Sequence, residues 1–247
     1  MVGIRLKDVC VSYFLRRQGK AIGGVDNNTV GAQILIGKKY IEIPALRSVN
    51  LEFREGDRIG LVGINGSGKS TLLKLCSSAV SPQSGVVEIK GRVSPQFSLG
   101  AGLKGRLTGR QNTELKCLYL GIPQGKIADY IDDIKELSGL GGYFELPIDT
   151  YSAGMRSRLI MSLLRLVHGE ILIMDEWINA VDPSLNVTVG GLQADLINNS
   201  KILVLASHSR RVLEEWVEKI VWLHKGEVRE FGNIKDVYPQ YQKWINK

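Results

Sequence analysis

The sequence has few of the residues that build covalent or metal-stapled scaffolds. It holds 3 cysteines in 247 residues, Cys10, Cys76 and Cys117, and no two of them form a CxxC pair. An odd, scattered set excludes a disulfide framework and argues against a zinc site, and it suits a reducing compartment. Only 7 prolines and 7% aromatic residues are present, and no low-complexity tract or internal repeat is visible. No run approaches the roughly 18 uninterrupted apolar residues that span a bilayer. The start, MVGIRLKDVC, lacks the apolar stretch of a secretory signal. The expectation is a cytoplasmic chain, with any membrane-spanning part supplied by another chain.

What is present fits a globular protein of one to two domains. Apolar residues make up 44% and charged residues 23%, and 32 Lys+Arg against 25 Asp+Glu leave a net charge of +7. That excess permits an anionic partner without requiring one. Short apolar runs at Arg58–Val62, Ile171–Met174 and Ile202–Leu205 read as buried parallel strands. Strands are also expected at Ile4–Tyr13, Gln33–Ile36, Ser48–Phe53 and Val86–Ile89, with a closing hairpin at Ile220–Leu223, Lys225-Gly226 and Val228. Helical spacing appears over Thr71–Leu75, Gln111–Leu120, Gly125–Leu137 and Leu159–Val167. The fold class expected is therefore α/β. A core of 1–94 and 149–247 is interrupted by a helical subdomain and coupling loop at 95–148.

The strongest motif is Gly63-Ile64-Asn65-Gly66-Ser67-Gly68-Lys69-Ser70, followed by Thr71. It matches GxxxxGK[ST] between an apolar strand and a helix, the context in which such a loop wraps phosphates. Glycines let the amides turn inward, and the helix N-terminus adds positive potential. Lys69 is expected on the β- and γ-phosphates and Ser70 on Mg2+. Taken alone it is a glycine-rich turn; its flanks argue for a nucleotide. The strand Ile171–Met174 ends in Asp175 and Glu176. Such a pair often marks only a strand end at the surface. Beside a phosphate loop, Asp175 is expected to hold Mg2+ and Glu176 to polarise the attacking water.

Three further features follow a fixed order along the chain. Tyr151-Ser152-Ala153-Gly154-Met155 precedes an amphipathic helix, Asn179-Ala180-Val181-Asp182 follows the acidic strand, and Ala206-Ser207-His208 follows the next. Alone, the first is an N-capped helix, and the last is a loop histidine. Together with the phosphate loop they resemble the ATP-binding cassette (ABC) ATPases over nearly the whole chain. That resemblance implies a P-loop ABC cassette: a mainly parallel core sheet, an N-terminal antiparallel β subdomain and an inserted helical subdomain. It implies that Ser152, Ala153, Gly154 and Met155 form the signature facing the nucleotide of the opposite subunit. It also implies that Val181 and Asp182 form a dimer-contact loop, that His208 senses the γ-phosphate and that Tyr13 stacks on adenine.

Gly91-Arg92-Val93-Ser94-Pro95, Leu99-Gly100-Ala101-Gly102-Leu103 and Leu107-Thr108-Gly109-Arg110-Gln111-Asn112 resemble a narrower group. These are the ABC ATPases exporting lipid-linked polysaccharide: O-antigen, capsule and teichoic acid. The Tyr-Ser-x-Gly-Met signature agrees. That group implies an ATP- and Mg2+-dependent homodimer on the cytoplasmic face of the inner membrane, bound to a polytopic permease and moving a lipid-linked glycan of the O-antigen kind. No nucleic acid is expected. The alternatives are an ABC exporter of another lipid or peptide, and a soluble ABC ATPase acting on nucleic acid or the ribosome. Where most of the family places a metal- and water-sensing glutamine, this chain offers Gln96 or, by alignment, Ser98; Gln96 also reads as an exposed loop residue. The stretch 15–45, with Arg16, Arg17 and Lys20, is longer than a minimal cassette needs. It reads as a solvated loop or as a face toward lipid or permease. The chain stops soon after its closing hairpin, as in the short members without a carbohydrate-binding domain.

Overall fold

The computed structural model describes residues 1–16, 34–36, 39–97, 100, 102–175 and 188–246. Two compact units emerge. The first combines two sheets. An antiparallel sheet has the order β2(Leu35–Ile36), β3(Tyr40–Arg54), β1(Gly3–Arg16) and β5(Ser84–Lys90). A six-stranded sheet has the order β10(Glu227–Asn233), β9(Lys219–His224), β4(Arg58–Val62), β8(Ile202–Ala206), β7(Ile171–Asp175) and β6(Val93–Gln96). Neighbours β9–β4, β4–β8 and β8–β7 are parallel, and β9–β10 is an antiparallel hairpin.

The central strands are apolar throughout because helices cover them. Ile59, Leu61, Ile173, Val204 and Leu205 are completely buried, as strands sealed on both faces require. Helix α1(Lys69–Cys76) packs on β7 and β8, and the short α6(Arg210–Trp216) precedes β9. Phe53 of β3 is fully buried and meets Phe231 of β10 edge-on, with centroids 6.0 Å apart. That contact ties the two sheets together.

The antiparallel sheet departs from simple alternation at one place. Ile4 and Leu6 point inward, so strict alternation would bury Asp8. A bulge between Leu6 and Val9 shifts the phase, leaving Asp8 exposed and Val9 fully buried. Asp8 takes φ 50°, and Asn50 ties it down, accepting from its N–H and donating to its carboxylate, both at 2.9 Å. A bulge is the usual way a strand changes phase without losing its ladder.

The second unit holds α2(Gly109–Tyr119), α3(Gln124–Ser138), α4(Ala153–Ser162) and α5(Thr188–Asn198). Ile127, Ile131 and Ile134 lie on one face of α3 and join Cys117, Phe144, Tyr151 and Leu159 in its core. The Leu107–Asn112 motif turns out to be a local structural device. Thr108 and Gln111 make a reciprocal capping box at the start of α2. The buried Asn112 amide donates to the carbonyls of Lys104, Leu107 and Thr108. Gly109 is needed because a Cβ there would meet the Tyr151 hydroxyl at 2.7 Å. The motif and the tyrosine ahead of Ser152 therefore depend on each other.

Four expectations need correction. The strand expected at Ser48–Phe53 begins at Tyr40, because its N-terminal half pairs with the far end of β1. The helix through Leu159 ends at Ser162, and Leu163–Leu166 tighten into a 3-10 turn. The coupling loop expected from 95 starts later, because Pro95 and Gln96 belong to strand β6. The hairpin is not the last element: α7(Ile234–Ile245) follows, capped by Asn233, whose side chain accepts from the Lys235 amide at 2.9 Å. The 17–33 part of the long N-terminal stretch lies outside the described residues.

Truncating Phe53 to Ala should cost about 3–5 kcal/mol of unfolding free energy, the usual range for emptying a large aromatic site. Denaturant melts check this. A loss below about 1 kcal/mol, the level of an ordinary surface change, would mean the sheets are not joined through Phe53.

Candidate functional site

Strand β4 delivers its last residue, Val62, to the start of the glycine-rich loop. Gly63, Gly66 and Gly68 all take positive φ, at 153°, 80° and 109°. Two of these positions admit no side chain. A Cβ on Gly63 would collide with the Leu223 carbonyl and the Ser67 side chain, and one on Gly68 would lie 2.5 Å from the Ala45 carbonyl. The loop is closed by the Ser67 amide donating to the Ile64 carbonyl at 3.1 Å. From outside, the Gly226 amide donates to the Ser67 carbonyl at 3.0 Å, and the Arg47 amide to the Gly226 carbonyl at 2.8 Å. The β9–β10 turn and β3 thus hold the loop from two sides.

Within this cradle, Lys69 is buried, and its ammonium donates to the Gly63 carbonyl at 2.6 Å and the Ile64 carbonyl at 3.3 Å. The Ser67 hydroxyl is buried and makes no hydrogen bond among the described residues. A buried hydroxyl without a partner is costly unless a ligand or water completes it. Asn65, Gly66 and Ser70 are exposed. The loop therefore has the shape and polarity to take a polyphosphate.

The remaining candidates of this unit arrange as follows. The Tyr13 hydroxyl lies 3.3 Å from the Thr71 hydroxyl, so the aromatic lies beside the helix that starts at Lys69. Asp175 ends β7, opposite Ala206 in the ladder, and is half-buried. His208 is exposed two residues past the end of β8. Gln96 is buried as the last residue of β6, so the exposed-loop reading does not hold. Ser98, Glu176, Val181 and Asp182 lie outside the described residues.

Ser70 and Asp175 offer hard oxygen donors without thiol or imidazole, and among the described residues no cluster of three His, Cys, Asp or Glu could hold a metal unaided. That set fits Mg2+, which keeps its waters and accepts one or two protein oxygens together with phosphates. Ser152, in the second unit, caps α4 and accepts from the Met155 amide at 3.2 Å. Ser152 and Ala153 are exposed, and a Cβ on Gly154 would meet nothing closer than 4.0 Å. This helix N-terminus is open to an anion from outside.

The sequence patterns missed the groups that grip the loop: Ala45, Leu223, Gly226 and the elements carrying them. Lys225-Gly226 announces a turn, and nothing local says what the turn touches. His224, beside it, has a lowered pKa, first through burial and then through the charges of Lys225 and Arg229, and its Nδ1 finds no partner among the described residues.

Residues 46–179 match the family model described as ABC transporter. The chain belongs to the ABC transporter family. It is 36% identical to the teichoic acids export ATP-binding protein TagH of Staphylococcus haemolyticus, over 81% of this chain and 76% of that protein. It is 35% identical to the TagH of Lactococcus lactis, over 87% of this chain and 46% of that protein. The match covers 37% of the Bacillus anthracis relative, so the chain spans half or less of several relatives. Among solved structures, the dimeric ATP-binding cassette MJ0796 bound to ADP and Pi superposes with a TM-score of 0.67 at 20% identity, over 94% of this chain and 98% of that one. An ATP-binding subunit of an ABC transporter gives 0.67 at 19% identity, over 98% and 94%. The fold is that of an ABC cassette. Among the described residues, no helix is long and apolar enough to cross a membrane.

The thiol of Cys76, at the end of α1, is pushed up to about 12 by burial. At pH 8 it carries almost no thiolate and should resist alkylation, whereas the half-exposed Cys10 should react. Iodoacetamide labelling followed by peptide mapping checks this. Cys76 modified as fast as Cys10 in the native protein would mean that α1 is not packed as described.

Proposed function

We propose that this chain is the ATP-hydrolysing motor subunit of an exporter whose cargo is a cell-surface polysaccharide of the teichoic-acid class. The observation that carries the hydrolytic reading is the cradle: crowded glycines, a buried Ser67 hydroxyl without a partner among the described residues, and a Lys69 ammonium donating to loop carbonyls. The cargo reading rests on the relatives, each named for teichoic acid export. Within the glycan group that the motifs resemble, they favour teichoic acid over O-antigen.

In this reading Lys69 leaves the Gly63 and Ile64 carbonyls for the β- and γ-phosphates, and the loop amides take the remaining oxygens. Tyr13 stacks on the adenine. Ser70 and Asp175 hold Mg2+, with Gln96 the candidate at the sheet edge. When bound, the ion would neutralise negative charge on the phosphates. Glu176 orients the attacking water, and His208 holds the γ-phosphate. Ser152, Ala153, Gly154 and Met155 of a second copy close the site from the other side, and Val181 and Asp182 meet that copy. Phosphoryl transfer asks for positioning and charge neutralisation more than covalent help, so a site divided between two copies turns over only when they meet. The dimer would act at the cytoplasmic face of the membrane, on a polytopic permease that carries the lipid-linked glycan.

Replacing Glu176 by Gln should leave ATP binding intact and lower turnover by about 100-fold or more, the scale of losing a general base. An ATP-dependent dimer should accumulate, visible by light scattering. Hydrolysis at the normal rate would show that Glu176 is misassigned.

A further inference from the structure

The hydrolytic reading gives the Leu107–Asn112 motif no task, yet the chain leading into Ser152 is fastened to it. The Asp149 amide donates to the Gly105 carbonyl at 2.9 Å, and the Ile148 amide to the Leu107 carbonyl at 3.0 Å. The receiving loop is closed by Asn112, whose side chain accepts from the Lys104 amide at 2.7 Å and donates to the Leu107 carbonyl at 3.1 Å. A third contact is packing. Tyr151 is buried, and a Cβ on Gly109 would stand 2.7 Å from its hydroxyl, so the first residue of α2 lies directly against that group.

Tyr151 is held at both ends. Its amide donates to the Ile148 carbonyl at 2.9 Å, closing the 3-10 turn Ile148–Thr150. Its hydroxyl donates to the Tyr143 carbonyl at 2.7 Å, and its ring packs in the core with Phe144 and Leu159. A hydrogen bond is directional, so the hydroxyl fixes the depth and tilt of the ring as burial alone would not. The next residue, Ser152, is exposed. It takes extended backbone, φ −64° and ψ 165°, and accepts from the Met155 amide. An N-cap works only while its backbone keeps that conformation. The chain passes from burial to solvent in one residue, so the place of Ser152 follows from that of Tyr151.

We propose that Tyr151 is a positioning residue for turnover: clamped by the Leu107–Asn112 motif, it sets where Ser152 stands when a second copy presents its nucleotide. The inference rests on the reading above of Ser152 as part of the signature. Tyr143, Tyr151, Ser152 and the motif all belong to the second unit, and Lys69 belongs to the first. Loosening Tyr151 therefore leaves one chain's phosphate loop as it was. It acts when two copies close a site, where a small misplacement of a contacting group slows the reaction.

The test compares Tyr151→Phe, which removes only the hydroxyl, with Tyr130→Phe and Ser152→Ala. Tyr130 packs against the same core, and its hydroxyl pairs with the His168 Nε2 at 3.0 Å. ATPase kinetics are measured well below the melting temperature of each variant. The kcat of Tyr151→Phe should fall about 3- to 10-fold, the range set by one lost hydrogen bond. Its KM for ATP should stay within about two-fold, because the disturbed contact forms only as the site closes. Tyr130→Phe should change neither. In the nucleotide-free protein, hydrogen exchange of the Met155 amide should accelerate in Tyr151→Phe and stay unchanged in Tyr130→Phe. An unchanged kcat in Tyr151→Phe, an equal fall in Tyr130→Phe, or unchanged Met155 exchange overturns the proposal. If Ser152→Ala is impaired and Tyr151→Phe is not, the proposal alone fails. A parent chain without ATPase activity, or a Ser152→Ala variant that turns over like the parent, sinks the signature reading and the proposal with it.

Discussion

The structure of the site depends on one constraint: the loop after β4 must pass between backbone carbonyls that leave no space for side chains. The Leu223 carbonyl stands against Gly63, and the Ala45 carbonyl stands against Gly68 and Gly226. These come from β9 and β3, so both sheets must be in register before the cradle exists. The hydrogen bonds from Gly226 to Ser67 and from Arg47 to Gly226 lock that arrangement. Burial of Phe53 against Phe231 keeps the sheets together. A hydrophobic contact between the sheets thus helps fix the shape of the glycine-rich loop.

A second consequence is electrostatic. Lys69 is buried, and its ammonium donates to two loop carbonyls. A buried ammonium needs such partners, and the carbonyls are weak enough substitutes for phosphate that an incoming polyanion would displace them. The N-terminus of α4 is capped by Ser152, which is exposed.

Much of this was readable in the sequence, for identifiable reasons. Arg58–Val62, Ile171–Met174 and Ile202–Leu205 are apolar without alternation, and only buried parallel strands tolerate that. The glycines and lysine of the loop are a local pattern, and so is the serine cap of α4. The remainder depended on contacts distant in sequence. The phase shift at Asp8 is fixed by Asn50, 42 residues away. The length of β3 follows from pairing with β1. Helix α7 runs through Pro239, which weakens its local signal, and its tyrosines and Trp244 have meaning only once β9 lies beneath them. Gln96 read as a loop residue because Val93-Ser94-Pro95-Gln96 carries too little apolar pattern to announce the edge strand that buries it.

The most direct measurement is calorimetric titration of MgATP into the purified chain and into its Lys69→Ala variant. The account predicts saturable binding near one nucleotide per chain, abolished or weakened at least about 10-fold in the variant, the scale of a lost charge-assisted contact in a protected site. Equal binding by both proteins, or none by either, would contradict it, since the cradle built around Lys69 would then not be a nucleotide site.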